Sequence, residues 1–343
     1  RLESAAPTLR NCTVSGSRMH GLTLLLSDPL IENCRFLNNG STNKDAFAVF
    51  MRSDSLPRLS GNTATGNVHD AVGIFDYNVG RKGTWVKDNL PYTLLNDVYV
   101  NGGSTLTIEP GTVLQFRNPD TALVVDGTLI ARGTSAAPIL FTSDEVQKAG
   151  GQWEAIIFRG ANTNSILENC IVEYGAAAGV CDESIRLEGA APTIRNCTVR
   201  NSRVHGITLL NSDPLIENCQ FLNNGSTNTK AFAIAMRTDS LPRFRNNTAQ
   251  GNGHDAIAVF DYNVGRNGTW VKDNLPYTLL NDVYILNGSR LTIEPGVTLQ
   301  FQEPDTGLIV DGTLTALGTT NAPIRFTSDD TQKAAGQWEA IIF

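Results

Sequence analysis

The chain has 343 residues, 41% of them hydrophobic and 18% charged, which is ample for a large core but light in charge. A net charge of −7 excludes the basic face that a nucleic-acid binder uses to displace counterions, and no apolar stretch reaches the roughly 18 residues of a membrane span. The six cysteines show no Cys-x-x-Cys or Cys/His spacing, so neither a metal nor a cofactor is expected.

The strongest signal is internal repetition. Arg1–Phe158 aligns without a gap onto Arg186–Phe343, an offset of 185 residues, with 40 differences over 158 positions. The chain opens at RLESAAPTLRNC and stops at GQWEAIIF, both inside the repeating pattern. We read it as a window on a longer tandem array, so the lack of a visible leader says nothing about export.

In chain order, the first copy gives the motif apolar–polar–Asn–Cys (or Asn)–polar–apolar at Cys12, Cys34 and Asn62, with steps of 22 and 28 residues. The motif returns in SILENCIVEYG, PTIRNCTVRNS, PLIENCQFLNN and PRFRNNTAQGN, at positions 170, 197, 219 and 247. Each is too short for a helix and alternates with period 2, as a strand does. A second short apolar strand precedes several of them, as in GITLL, AFAIAM, DAIAVF and EAIIF. Gly, Asn, Asp, Ser and Pro cluster between the runs, where turns need them. Strands recurring every 22 to 28 residues without helices predict an all-β solenoid: a parallel β-helix of about three short strands per coil. Like residues then lie above like residues at about 4.8 Å. This predicts an inward ladder of Asn and Cys from Asn11, Cys12, Asn33, Cys34, Asn169, Cys170, Asn196, Cys197, Asn218, Cys219, Asn246 and Asn247. Side chains stacked this way have poor disulfide geometry, so packed free thiols are expected; Cys181, in a loop, is the one expected to pair or react.

The rest of each copy carries a Trp and a Pro-Tyr pair, then LTIEPG, VDGTL and PI-x-FTS. These stand at Trp270, Pro276–Tyr277, Leu291–Gly296, Val310–Thr313 and Pro323–Ser328, and recur from Trp85, Pro91–Tyr92 and Leu106–Gly111. Over essentially its whole length the chain resembles the right-handed parallel β-helix repeat proteins of prokaryotic cell surfaces. The resemblance implies a right-handed fold, and it implies units of 1–84, 85–269 and 270–343 with the DYNVGRKGT or DYNVGRNGT stretch as the joint. At one strand spacing per coil, a 185-residue unit would rise about 35 Å.

An enzyme of this fold would need paired carboxylates, or carboxylates with calcium and a base. The best constellation is His254, Asp255 and Asp261, mirrored by His69, Asp70 and Asp76. Adjacent strand residues point to opposite faces, so these read as turn Asp residues beside solvated His. His20 and His205, each before a Gly, read as hydrogen-bonded corners. Trp85, Trp153, Trp270 and Trp338 could stack on sugars but fit better as covers of coil edges. Glu109 and Glu294 sit in IEPG turns. The sequons at Asn11 and Asn196 fall in the ladder and should be buried. Those at Asn39 and Asn224 fall in loops and are candidate glycosylation sites, and Asn267 and Asn287 carry sequons only in the second copy. Thr-rich runs raise an ice-binding face, but their spacing does not recur from coil to coil.

The expectation for function is an extracellular structural protein, a surface stalk, filament or adhesin-like shaft. Its partners would be copies of itself, stacked head to tail or continued in tandem, and surface glycans. The alternative is a carbohydrate-binding or polysaccharide-degrading β-helix.

Overall fold

The computed structural model describes residues 1–161 and 164–343, and every regular element among them is a short β-strand. Internal contacts divide the chain into two compact units. One is Arg1–Ile157 with Asn164–Cys181, and the other is built mainly from Asp182–Phe343.

In the first unit all pairing is parallel, and the strands fall on three faces of a coil. One ladder runs through the unit from Leu2–Glu3 to Leu22–Leu25, Phe47–Arg52, His69–Phe75, Tyr92–Leu94, Val113–Phe116, Ile139–Ser143 and Cys170–Glu173. Its register stacks Leu22, Val49, Val72, Tyr92, Leu114, Phe141 and Val172 into one buried column. Each fully buried aliphatic side chain contributes about 1.5–3 kcal/mol, so such columns supply the drive to coil. The second unit repeats the plan, with Ile207, Ile234, Ile257, Tyr277 and Leu299 in register.

The other two faces are interrupted at the expected joint. Thr8–Arg10, Leu30–Glu32 and Arg58–Ser60 form one short ladder, and Thr13–Ser15, Arg35–Leu37 and Thr63–Thr65 another. Both stop there. New ladders start at Asn78–Val79 and Gly83–Trp85, while the long ladder carries on through His69–Phe75. Ladders thus change partners at both joint stretches, 76–84 and 261–269.

The coil corners correct the expected ladder. Asn11, Asn33, Asn169, Asn196, Asn218 and Asn246 have φ of 48–54°, the left-handed region that Asn tolerates. Each turns the chain between two strands, and each side chain lies at or near the surface. The alternation of a strand does not pass through such a corner, so Asn and its following residue are not an inward pair. Only the second residue is inward. Cys34, Cys170, Cys197 and Cys219 are buried, and their thiols donate to the carbonyl two residues back at 3.2–3.4 Å.

A genuine amide column does form, one position later than the predicted Asn. Cys34 N–H donates to Asn62 Oδ1 at 2.9 Å. Asn62 Nδ2 donates to Ile31 O and to Asp88 Oδ2, both at 2.8 Å, and Asn62 N–H donates to Asp88 Oδ1 at 3.0 Å. The second copy repeats this with Cys219, Asn247, Ile216 and Asp273. Of the twelve predicted ladder residues, Asn247 is the one Asn whose amide sits in this column. Cys12, at the start of the chain, is exposed, and Cys181 is buried, with its thiol donating to Glu154 O at 3.2 Å. None of the six cysteines is in a disulfide.

Replacing Asn247 by Ala removes an acceptor from Cys219 N–H and a donor from the buried Asp273 carboxylate. Denaturant unfolding should show a loss of about 3 kcal/mol. Asn246→Gly, next to it, should change stability by no more than about 0.5 kcal/mol, because Gly adopts the same φ. Equal losses from the two variants would refute this account of the corner.

Candidate functional site

The His–Asp motifs sit where the long ladder meets a second amide column. Ser17 N–H donates to Asn39 Oδ1 at 3.0 Å, and Asn39 N–H donates to Asn67 Oδ1 at 3.0 Å. Asn67 N–H then donates to Asp70 Oδ1 at 3.0 Å, and its Nδ2 donates to the same oxygen at 2.6 Å. Asn224, Asn252 and Asp255 form the matching column, with Asn252 N–H and Nδ2 donating to Asp255 Oδ1 at 3.0 and 2.7 Å. Asp70 and Asp255 thus accept the last hydrogen bonds of a buried stack.

Their neighbours are turned elsewhere. The His254 ring stacks on Phe232 at 4.3 Å, with Nε2 2.6 Å from Thr229 O. His69 stacks on Phe47 at 4.6 Å, and Arg117 Nη2 lies 2.9 Å from its Nδ1. Asp261 accepts from Arg237 Nε at 2.8 Å, and Asp76 pairs with Arg52 at 2.7 Å. Burial opposes ionisation of Asp261, but the Tyr262 N–H and Arg237 outweigh it and hold the carboxyl below its ordinary range. None of the six residues shares a hydrogen bond with another of its own set in these contacts. What the arrangement does chemically is satisfy backbone and side-chain donors at coil ends. Among the described residues, no three His, Cys, Asp or Glu side chains gather to hold a metal ion.

The other candidates resolve in the same way. Trp85, Trp153 and Trp270 are fully buried, and Trp153 stacks on Phe116 at 4.0 Å, so they do not offer a face to a sugar. The carboxylates of Glu109 and Glu294 accept the N–H of Lys87 and Lys272. His20 Nδ1 accepts the Phe47 N–H at 3.1 Å, and His205 Nδ1 accepts the Phe232 N–H at 3.0 Å. Two features were missed in the sequence. Arg81 reaches back 53 residues to Asp28 at 2.8 Å and donates to Asp54 O on the way. Arg266 does the same with Asp213 at 2.9 Å and Asp239 O. Long-range clips of this kind leave no local pattern to read.

The glycosylation expectations are reversed. Asn39 and Asn224 are 1% and 0% exposed, with their amides inside the second column, because each follows a left-handed corner, Asn38 or Asn223, that turns it inward. Asn11 and Asn196, expected to be buried, are exposed corners. Asn246, in the sequon Asn246–Asn247–Thr248, is a third exposed corner.

The chain belongs to the right-handed β-helix family. The family model described as "Right handed beta helix region" matches residues 2–119 and 129–295. A segment of 49 residues is 49% identical to the Drosophila melanogaster protein named "Protein bark beetle", covering 14% of this chain and 2% of that protein. No solved structure matches. Among the described residues, no helix is long and apolar enough to cross a membrane.

Two predictions follow from these positions. Expressed in a cell that glycosylates Asn, the chain should carry glycans at Asn11, Asn196 or Asn246 and none at Asn39 or Asn224; glycopeptide mass spectrometry reads this directly. Burial holds the pKa of His20 and His205 below the ordinary 6.5. The unfolded chain therefore takes up protons first as pH falls, so the stability these groups contribute is present above about 6.5 and is lost below it. His205→Asn keeps an acceptor near Phe232 N–H without titrating. Its stability should fall less than the parent's between pH 7 and pH 5.5.

Proposed function

We propose that this chain is a stretch of an extracellular structural β-helix, a tandem-repeat shaft at a cell surface whose neighbours are further copies of its own repeat. The observation that supports this reading most directly is the duplicated role of the acidic residues. In both copies the Asp residues that could serve catalysis accept hydrogen bonds from stacked amides, as Asp70, Asp255, Asp88 and Asp273 do, or pair with Arg, as Asp76 and Asp261 do. A carboxylate pair acting on one substrate needs both members free to face it, whereas each of these already has an oxygen engaged. Duplication at 118 identical positions of 158 also suits a repeat whose coils must stack, since stability in such proteins adds along the repeat.

Electron microscopy of native material tests this. Extended particles longer than two repeats, with a constant axial period, are expected. Discrete particles of one chain length would overturn it and move the reading to glycan binding. The place to look would then be the polar hollow of about 430 Å³ lined by Asn267, Asn287, Arg290, Asp311 and Thr313.

A further inference from the structure

On the outer side of the long ladder the two copies differ in one ring, Phe50 against Ala235. In the first, Phe50 stands on the outer side of the long ladder, sandwiched between two other rings. Its centroid is 3.8 Å from His20 at an interplanar angle of 4°, and 4.3 Å from Phe75 at 10°. Thr23 and Gly73 flank it in register, so small residues on either side give the ring its room.

In the second copy the two flanking rings remain, the central ring is gone, and Ala258 stands where Gly73 was. His205 stands for His20, Phe260 for Phe75 and Thr208 for Thr23, but Ala235 replaces Phe50. Ala235 pairs in register with Thr208 and Ala258. The result is an open hollow of about 240 Å³ lined by Asp182, Glu183, His205, Thr208, Lys230, Ala235, Phe260 and Leu280. A closed apolar cavity of about 150 Å³ already admits benzene. The floor is apolar, formed by the buried Ala235 and the half-buried Phe260 and Leu280. The rim is polar: Asp182 and Lys230 are exposed, and Glu183 is buried against Arg186.

We propose that the slot over Ala235 binds a small neutral aromatic molecule of phenyl size, its ring seated between His205 and Phe260 and a hydroxyl directed to the polar rim. The first copy supplies the template, since a phenyl ring is already stacked between the corresponding His and Phe there. A saturated ring is thicker and has no π-face, so it fits the slot less well. The hydroxyl follows from the lining, where charged and hydroxyl groups surround the mouth and apolar groups the base.

The test uses 2-phenylethanol, with 2-cyclohexylethanol as its saturated counterpart, titrated into the chain and followed by amide NMR shifts. Saturable shifts centred on His205, Ala235 and Phe260 are expected for the aromatic probe, with weaker binding of the saturated one. Ala235→Phe restores the ring of the first copy, with Ala258 beside it in place of Gly73, and circular dichroism confirms that the variant is folded before it is titrated. It should weaken the probe by at least about tenfold. Phe260→Leu keeps an apolar floor and removes one stacking face, and should weaken the aromatic probe more than the saturated one. Absence of saturable shifts in the parent chain, equal affinity for the two probes, or unchanged affinity in a folded Ala235→Phe variant would each overturn the proposal.

Discussion

The coils that carry the Asn–Cys motif must turn sharply between faces, and in them one residue in the left-handed conformation makes that turn. The differences between the two copies show how firmly the constraint holds. Gly61 becomes Asn246, with φ of 64° and 53°; Gly16 becomes Asn201, with 67° and 55°; Leu26 becomes Asn211, with 52° in both. Three of these six residues are Asn and two are Gly, the side chains that bear positive φ at least cost. Once the corner is fixed, the strands on either side are placed. The next residue is then turned inward, where a Cys or Asn can serve the buried donors and acceptors that a turn exposes.

The strands and their spacing were legible because burial alternates along them, and alternation leaves a mark in any sequence. The direction of the side chains at the corners was not. Asn33–Cys34 reads as a period-2 pair, but the left-handed Asn resets the alternation and sends its own side chain outward. The same reset exchanges the fates of the sequons: Asn196 is at the surface while Asn224 is enclosed. The second amide column was harder still. Asn39, Asn67 and Asp70 stand 28 and then 3 residues apart, a spacing with no period, and only the return of the chain brings them together. Strand geometry separates each His from its Asp, but both pairs open strands, where each His stacks on a Phe, and do not sit in turns. The acceptor role of Asp70 and Asp255 depends on amides that no local pattern announces.

Charge in this molecule is arranged along the axis of each unit. Acidic side chains close amide columns, and Arg side chains such as Arg81 and Arg266 tie the outside of one coil to others. The Arg81 guanidinium beside Asp28 holds that carboxyl below its ordinary range. Because both partners are substantially exposed, the clip's value lies in fixing register and much less in raw stability.

The amide columns also have a direction. An Asn carries both a donor and an acceptor, so it can receive a hydrogen bond from one coil and give one to the next. An ionised Asp only accepts. Asp88, Asp273, Asp70 and Asp255 are therefore full stops in the grammar of the coil. A duplication that inserts a coil can lengthen a column wherever Asn follows Asn, but not beyond the carboxylate. The length of each polar stack is in this sense written into the chain, and a change of Asn to Asp or back would edit where it ends.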